Sequence, residues 1–426
     1  MNDTPTIAPV ALERGTSDVL TKAEIRLAHR EVRRHKMVAF ALVVPLLLFL
    51  FFSFVAPIAT MLHRGFYSPV VAQLIPNTLQ SLATWDGQGQ PDDAVLTNMA
   101  IDLKRLAADR TSGKLAAEIN RNKPGASSVV KSSARKLRRT DDADLAQNGA
   151  TLLLAANKAW ADPLMWRAVQ KSGDTYTDGF YLTALDLERT FEGELQIREA
   201  TQIYIKLYTK TLRMALIITL MCLILGYPLA YYLANAPSKT ANLLMIFVLL
   251  PFWTSLLVRT TAWIALLQTN GVVNSFLTGV GITSEPLDML YTEFSTIIAM
   301  THILLPFMIL PLYSVMKGID PTLMRAAMSM GARPIPAFIK IYLPNTMPGL
   351  SAGALLVFII SVGYYITPAL VGGTDGQMIS NIIAFHMQQS NNWGLAAALG
   401  SMLLILILTL YWVYDHLVGT DNIKLG

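Results

Sequence analysis

A single cysteine, Cys222, stands in 426 residues, and it lies inside a long apolar run. No internal disulfide or thiolate metal site is possible, and a lone cysteine in such a run is a small apolar filler. Charge is scarce too: charged residues make up 15% of the chain and hydrophobic ones 53%. That balance excludes an ordinary soluble protein. Also missing is a phosphate-binding loop. Residues 87–90 read Gly-Gln-Gly-Gln, a turn with no Walker lysine behind it, so the chain does not bind ATP in the P-loop manner. There is no internal repeat of fixed period. No nucleophile, base and orienting group form a set. Asp415 and His416 are neighbours whose side chains diverge on a helix, and His302 has no second histidine or acid at ligand spacing. An enzyme and a metal site are therefore not expected in this chain.

What is present is a series of apolar runs of about 20 residues, the length a helix needs to cross a bilayer. Six stand out, at 38–62, 212–233, 243–267, 294–314, 349–371 and 394–413. The expected fold is an all-α integral membrane protein with six transmembrane helices. The first run is too long, and too poor in a small-residue cleavage site, for a secretory signal, so it reads as a retained helix.

The formal charge of +5 has a topological cause and does not call for nucleic acid. Arg14, Lys22, Arg26, Arg30, Arg33, Arg34 and Lys36 precede the first run, and Lys317, Arg325, Arg333 and Lys340 lie between the fourth and fifth. Loops 268–293 and 372–393 hold no lysine or arginine. The positive-inside rule then puts the N-terminal segment 1–37, the 317–345 loop and the tail 417–426 in the cytoplasm. Lys210 and Arg213 fall at the outer end of the second run, where snorkelling accommodates them.

Residues 1–16 read as loose, and 17–36 as a helix entering the membrane. Residues 63–208, between the first two runs, are long enough for an extracytoplasmic domain. Segments 94–106, 143–160 and 182–197 have helical spacing of Leu, Ala and Ile, whereas 120–142, rich in Ser, Lys, Arg and Gly, reads as a flexible connection. Residues 209–416 then form a five-helix core.

The loop at 317–345 carries the most specific pattern. Asp320-Pro321 is a helix start, with a carboxylate for the orphan amides and a proline where no donor is needed. Gly331 falls where a left-handed residue ends the helix, and Pro334 and Pro336 turn the chain away from that axis. A short rod with a low surface at Ala326 and Ala327 results. By itself it reads either as a docking lever or as an amphipathic helix on lipid. The string Arg325-Ala326-Ala327, three residues, Gly331, nine residues, Ile341-Tyr342-Leu343-Pro344 resembles the cytoplasmic coupling loop of ABC importer permeases. Every spacing agrees, and Arg325 replaces the family's leading glutamate.

Leu250-Pro251-Phe252-Trp253, Arg259 to Trp263, Gly271 to Asn274, Leu305-Pro306-Phe307 to Tyr313, and Pro368 to Gly373 are similar to the spermidine and putrescine branch of those permeases. The resemblance runs from about Leu212 onward and omits the 63–208 insertion. It implies a type I importer core with a further N-terminal helix. The implied partners are two cytoplasmic ATP-binding subunits that use ATP and Mg, a second permease subunit and a periplasmic solute-binding protein. It also implies a bacterial inner membrane and no cofactor in this chain. Asp320, Arg325, Ala326, Ala327, Gly331, Leu343 and Pro344 become the expected ATPase-coupling residues.

For the solute path, Arg259 is a cation within an apolar run, and such residues face a cavity or a structural partner. Trp253 and Trp263 flank it, as cation-π surfaces or as interface aromatics. Asn274 follows. Tyr364, Tyr365 and Thr367 precede Pro368, which frees a backbone carbonyl, and Asp375 is the nearest acid to the outer mouth. A polycation finds few carboxylates here, so another small solute, such as an amino acid derivative or opine, stays open. So do a membrane sensor or anchor and an ion-coupled carrier.

Overall fold

The computed structural model describes residues 22–190, 193–198 and 202–418. The expected loose segment 1–16, the helix start at Ser17 and the tail from 419 lie outside the described residues. Among those described, five helices are long and apolar enough to cross a membrane, or six if a bent pair counts as one span.

The first span covers Lys36–Arg64. Its helix widens into a π turn at Phe51–Val55, where the Ala56 amide reaches the Phe51 carbonyl. Pro57 follows, and because it has no amide to donate, a one-residue shift in bonding just before it costs little.

The next part is helical and has its own core, including Leu96, Met99, Leu103, Ile119, Trp160 and Trp166. Asp102, buried in it, accepts hydrogen bonds from the Thr78 hydroxyl at 2.7 Å and backbone amide at 3.3 Å. Asp162 caps Pro163–Gly173 by accepting the Leu164 amide. Two expectations are corrected here. Segment 120–142 is no flexible connection but holds helix Ala126–Leu137, with Val130, Ala134 and Leu137 buried at helical spacing. Asn120 Oδ1 accepts the amides of Gly125 and Ser127, and Gly125 takes φ of 91° to start the helix. Segment 182–197 is not one helix either. Helix Gly179–Ala184 stops before Asp186, whose φ of 55° turns the chain into an antiparallel pair, Leu187–Arg189 with Leu195–Ile197.

Helix Tyr204–Asn235 opens the membrane core and packs on Glu293–Gly318 and Leu343–Gly363 around Met300, Leu304, Met308 and Leu312. Lipid tails are as apolar as leucine, so close backbone approach has to hold such helices together. Gly349 and Gly353 permit it: a Cβ on Gly349 would stand 2.8 Å from the Pro311 carbonyl, and one on Gly353 3.0 Å from the Met308 sulfur. The last span is Trp393–His416.

Two expected spans are corrected. Run 243–267 is not straight: Ser238–Trp253 and Leu256–Gly279 meet at 98°. Thr254 and Ser255 are extended, and the Ser255 hydroxyl accepts the Val258 amide, capping a new helix inside the apolar run. Run 349–371 ends early, because the helix stops at Gly363 and a short helix, Ile366–Val371, begins anew. Its span starts further back, at Pro334.

Candidate coupling element and solute-side residues

The short rod after the fourth span is helix Pro321–Ser329. Asp320 accepts the Thr322 amide at 2.8 Å. Hydrogen bonds from the Thr322 amide and hydroxyl, with the charge of Arg325 adding, hold the Asp320 carboxyl below its ordinary value. Its ionised form is thus the capping form, and the cap weakens as pH falls through the carboxylate range. Gly331 has φ of 92° and ends the rod. Ala327 is buried, while Ala326 and Arg325 are exposed, so the low patch is only half open. Leu323, Met328, Met330 and Ile335 are also exposed, an apolar surface flanked by Arg325 and Arg333.

The chain re-enters through Pro334–Ala337 and a π turn, Phe338–Tyr342, in which the Leu343 amide reaches the Phe338 carbonyl. Pro344 follows, as Pro57 follows the first π turn. The Leu343-Pro344 end of the motif therefore marks a shift in helix bonding at the junction of rod and span. Tyr231, Phe338 and Tyr342 pack edge to face or stacked, with centroids 5.2–5.7 Å apart. Lys317 Nζ donates to the Ala234 carbonyl at 3.2 Å, tying the base of the rod to the end of the first core helix.

Of the residues expected along a solute path, Arg259 and Trp263 both act on His302, and the others make contacts of their own. Trp253 is 71% exposed at the break in the third span. Arg259 is half-buried beyond the break, and its Nε is enclosed without a hydrogen bond. The Trp263 indole donates to His302 Nδ1 at 3.3 Å. Asn274 is buried and spent on the chain itself, exchanging 2.9 Å bonds with the Leu287 carbonyl and amide. The Tyr364 carbonyl that Pro368 leaves free accepts the Ser380 hydroxyl, and Tyr365's carbonyl accepts Asn381 Nδ2, each at 2.7 Å. Tyr365 is exposed and Thr367 fully buried.

Asp375 is exposed and belongs to an ionic network that sequence reading missed. Its backbone carbonyl accepts from Lys210, and its Oδ2 accepts the Glu293 amide at 3.2 Å. Arg213 Nη2 meets both Glu293 oxygens, at 2.7 and 2.6 Å. The opposite-charge pairs were on the page, but the 80 residues separating Arg213 from Glu293 hid the meeting. Asp186 was missed too. Its buried carboxylate accepts the amides of Ile203 and Tyr204 at 3.1 Å and of Ile205 at 2.8 Å, capping the first core helix from the preceding domain. Aspartate at a cap is a familiar signal, but here it stands 18 residues upstream of Tyr204.

Residues 226–419 match the family described as binding-protein-dependent transport system inner membrane component. The chain is 39% identical over 220 residues to the spermidine/putrescine transport system permease protein PotB of Escherichia coli, covering 51% of this chain and 80% of that one. The Haemophilus influenzae protein of the same name is 37% identical over 212 residues, covering 50% and 74%. The inner membrane ABC transporter permease protein YdcU of Escherichia coli is 32% identical over 281 residues, covering 60% and 87%. Spans and likeness agree: this chain belongs to the binding-protein-dependent transport system inner membrane components, as a multi-pass, non-catalytic permease of an importer.

Proposed function

We propose that the chain is the permease of a polyamine importer, passing spermidine, putrescine or a related amine across the inner membrane while separate ATPase subunits supply the energy. The relatives named for spermidine and putrescine support the solute. The observation that carries the drive mechanism is the rod Pro321–Ser329. It is capped at Asp320, stopped by left-handed Gly331 and faced with exposed Leu323, Met328 and Met330, a surface suited to the cleft of a soluble partner.

In this reading the rod and both termini are cytoplasmic and the 63–208 insertion is periplasmic. Two ATP-binding subunits use ATP and Mg, a second permease subunit completes the pathway, and a periplasmic binding protein delivers the solute. ATPase closure pushes the rod, Lys317 and the aromatic cluster pass the motion to the first core helix, and the Gly349 and Gly353 contacts let the helices slide. Arg259, Trp263, Tyr365 and Asp375 line or border the path, whereas Asn274 shapes the loop beside it. Glu293 and Asp375 at the outer end are engaged by Arg213 and Lys210, while Glu285 and Asp288 stand exposed in the loop before them. The apolar spans themselves hold almost no carboxylate, so recognition of a polycation falls chiefly to the binding protein and the partner permease.

Gly331→Val tests the lever in the assembled importer in proteoliposomes. A Cβ there meets nothing within 4 Å, so the damage is to the backbone, where φ of 92° disfavours a β-branched residue. A strain of about 1–2 kcal/mol should tilt the rod. Polyamine uptake should fall about tenfold, the factor that roughly 1.4 kcal/mol represents, while ATP hydrolysis persists. Uptake at the wild-type rate would sink the lever.

A further inference from the structure

The insertion meets the outer ends of the membrane helices around a cavity of about 620 Å³. That size lies within the roughly 300–1,000 Å³ range of small-molecule sites. Its wall joins helices Ser112–Asn122 and Pro163–Gly173, the two-stranded hairpin, and the starts of the first and last core helices at Tyr204 and Leu395. The lining carries four acids and four bases.

Most of these charges are already engaged. Glu118 pairs with Arg121 at 2.5 Å, and Arg121 also lies over the Phe180 ring at 5.5 Å. Asp178 pairs with Arg189 at 2.7 Å, Lys171 donates to the Arg189 carbonyl, and Glu188 accepts Gln196 Nε2 at 2.8 Å. Burial pushes the Glu118 carboxyl up and the Arg121 guanidinium down, so this pair is held against a desolvation cost. Ion pairs in such places add little stability over apolar side chains of equal volume, which makes a site a better account of them than a strut.

Two groups of opposite sign are left over. Asp174 makes no hydrogen bond or ion pair among the described residues, and burial pushes its carboxyl up despite Lys171 nearby. Arg198 Nε forms a long ion pair with Glu188 at 3.9 Å, and among the described residues its guanidinium side chain makes no hydrogen bond, so its forked donors can take a carboxylate. Balanced charge in the wall disfavours a polycation or a polyanion. We propose that this cavity binds a small zwitterion, its ammonium on Asp174 and its carboxylate on Arg198. The cavity's lining shares none of the residues assigned above to the solute path, and the proposal does not depend on which solute the importer carries. A ligand in it would touch Tyr204, the start of the first core helix.

Three probes share a four-carbon skeleton and differ only in their ends: 4-aminobutyrate, putrescine and succinate. Calorimetry on the full chain in nanodiscs should show 4-aminobutyrate binding at least about tenfold more tightly than the other two. Asp174→Asn and Arg198→Gln, both at partly exposed positions, should each weaken it by about tenfold with unchanged thermal unfolding. No heat with 4-aminobutyrate at millimolar concentration would overturn the proposal. So would putrescine or succinate binding as tightly, or undiminished binding in both variants.

Discussion

Asp186 is the residue on which the join between insertion and membrane core turns. Its carboxylate is buried and takes three amides of a helix start, groups that would otherwise stay unpaired. Asp186→Asn keeps the shape and removes the charge, so thermal unfolding should show a loss of about 1–3 kcal/mol, as for hydrogen bonds to a charged acceptor. Arg213→Gln should cost less than about 1 kcal/mol, because Arg213 is 60% exposed and such pairs are worth little in water. Equal losses would show that burial does not set the ranking. Asp320 belongs to the legible class, since its capping partner is two residues away. Asp186, Glu293 and Ser380 act on distant chain, and only the fold brings their partners in.

Among the elements, apolar length found the spans but not their breaks. Ser255 sits in an apolar run and caps a helix there, a role its composition-poor surroundings do not announce. Helix Ala126–Leu137 hid for the opposite reason: serine and lysine on its open face masked the stripe of Val130, Ala134 and Leu137. The rod was legible because proline, glycine and aspartate act locally on backbone angles. The glycine contacts were legible as a spacing and became physical as distances. Gly349→Leu should drive a side chain into the Pro311 carbonyl and the Val315 side chain. A loss of about 1–3 kcal/mol follows from overpacking, read as a lower unfolding temperature in detergent. An unchanged temperature would mean that the helices part at no cost.

At the scale of the molecule, most of the insertion's buried side chains form one cluster and the central membrane helices another, while a third, in which Ala184 packs with Ala215, Val362 and Leu399, joins the two. Trp160 and Trp166 are both fully buried in the insertion, with Trp166 Nε1 donating to the Trp160 carbonyl at 2.7 Å. Trp166→Ala should cost about 3–5 kcal/mol and loosen the insertion first. Amide exchange should then rise across residues 93–173 while the 293–318 helix stays protected. Even exchange throughout would show that the two clusters unfold as one.

Helix Tyr204–Asn235 has 32 residues. At about 1.5 Å each it is about 48 Å tall, where the hydrocarbon layer needs about 30 Å. The apolar run begins only at Leu212, so the eight residues before it, about 12 Å, make a pylon with the Asp186 cap at its summit, above the grease rather than in it. On the topology proposed above, whatever approaches the mouth from the periplasm has to clear the masonry resting on that pylon before it meets the membrane.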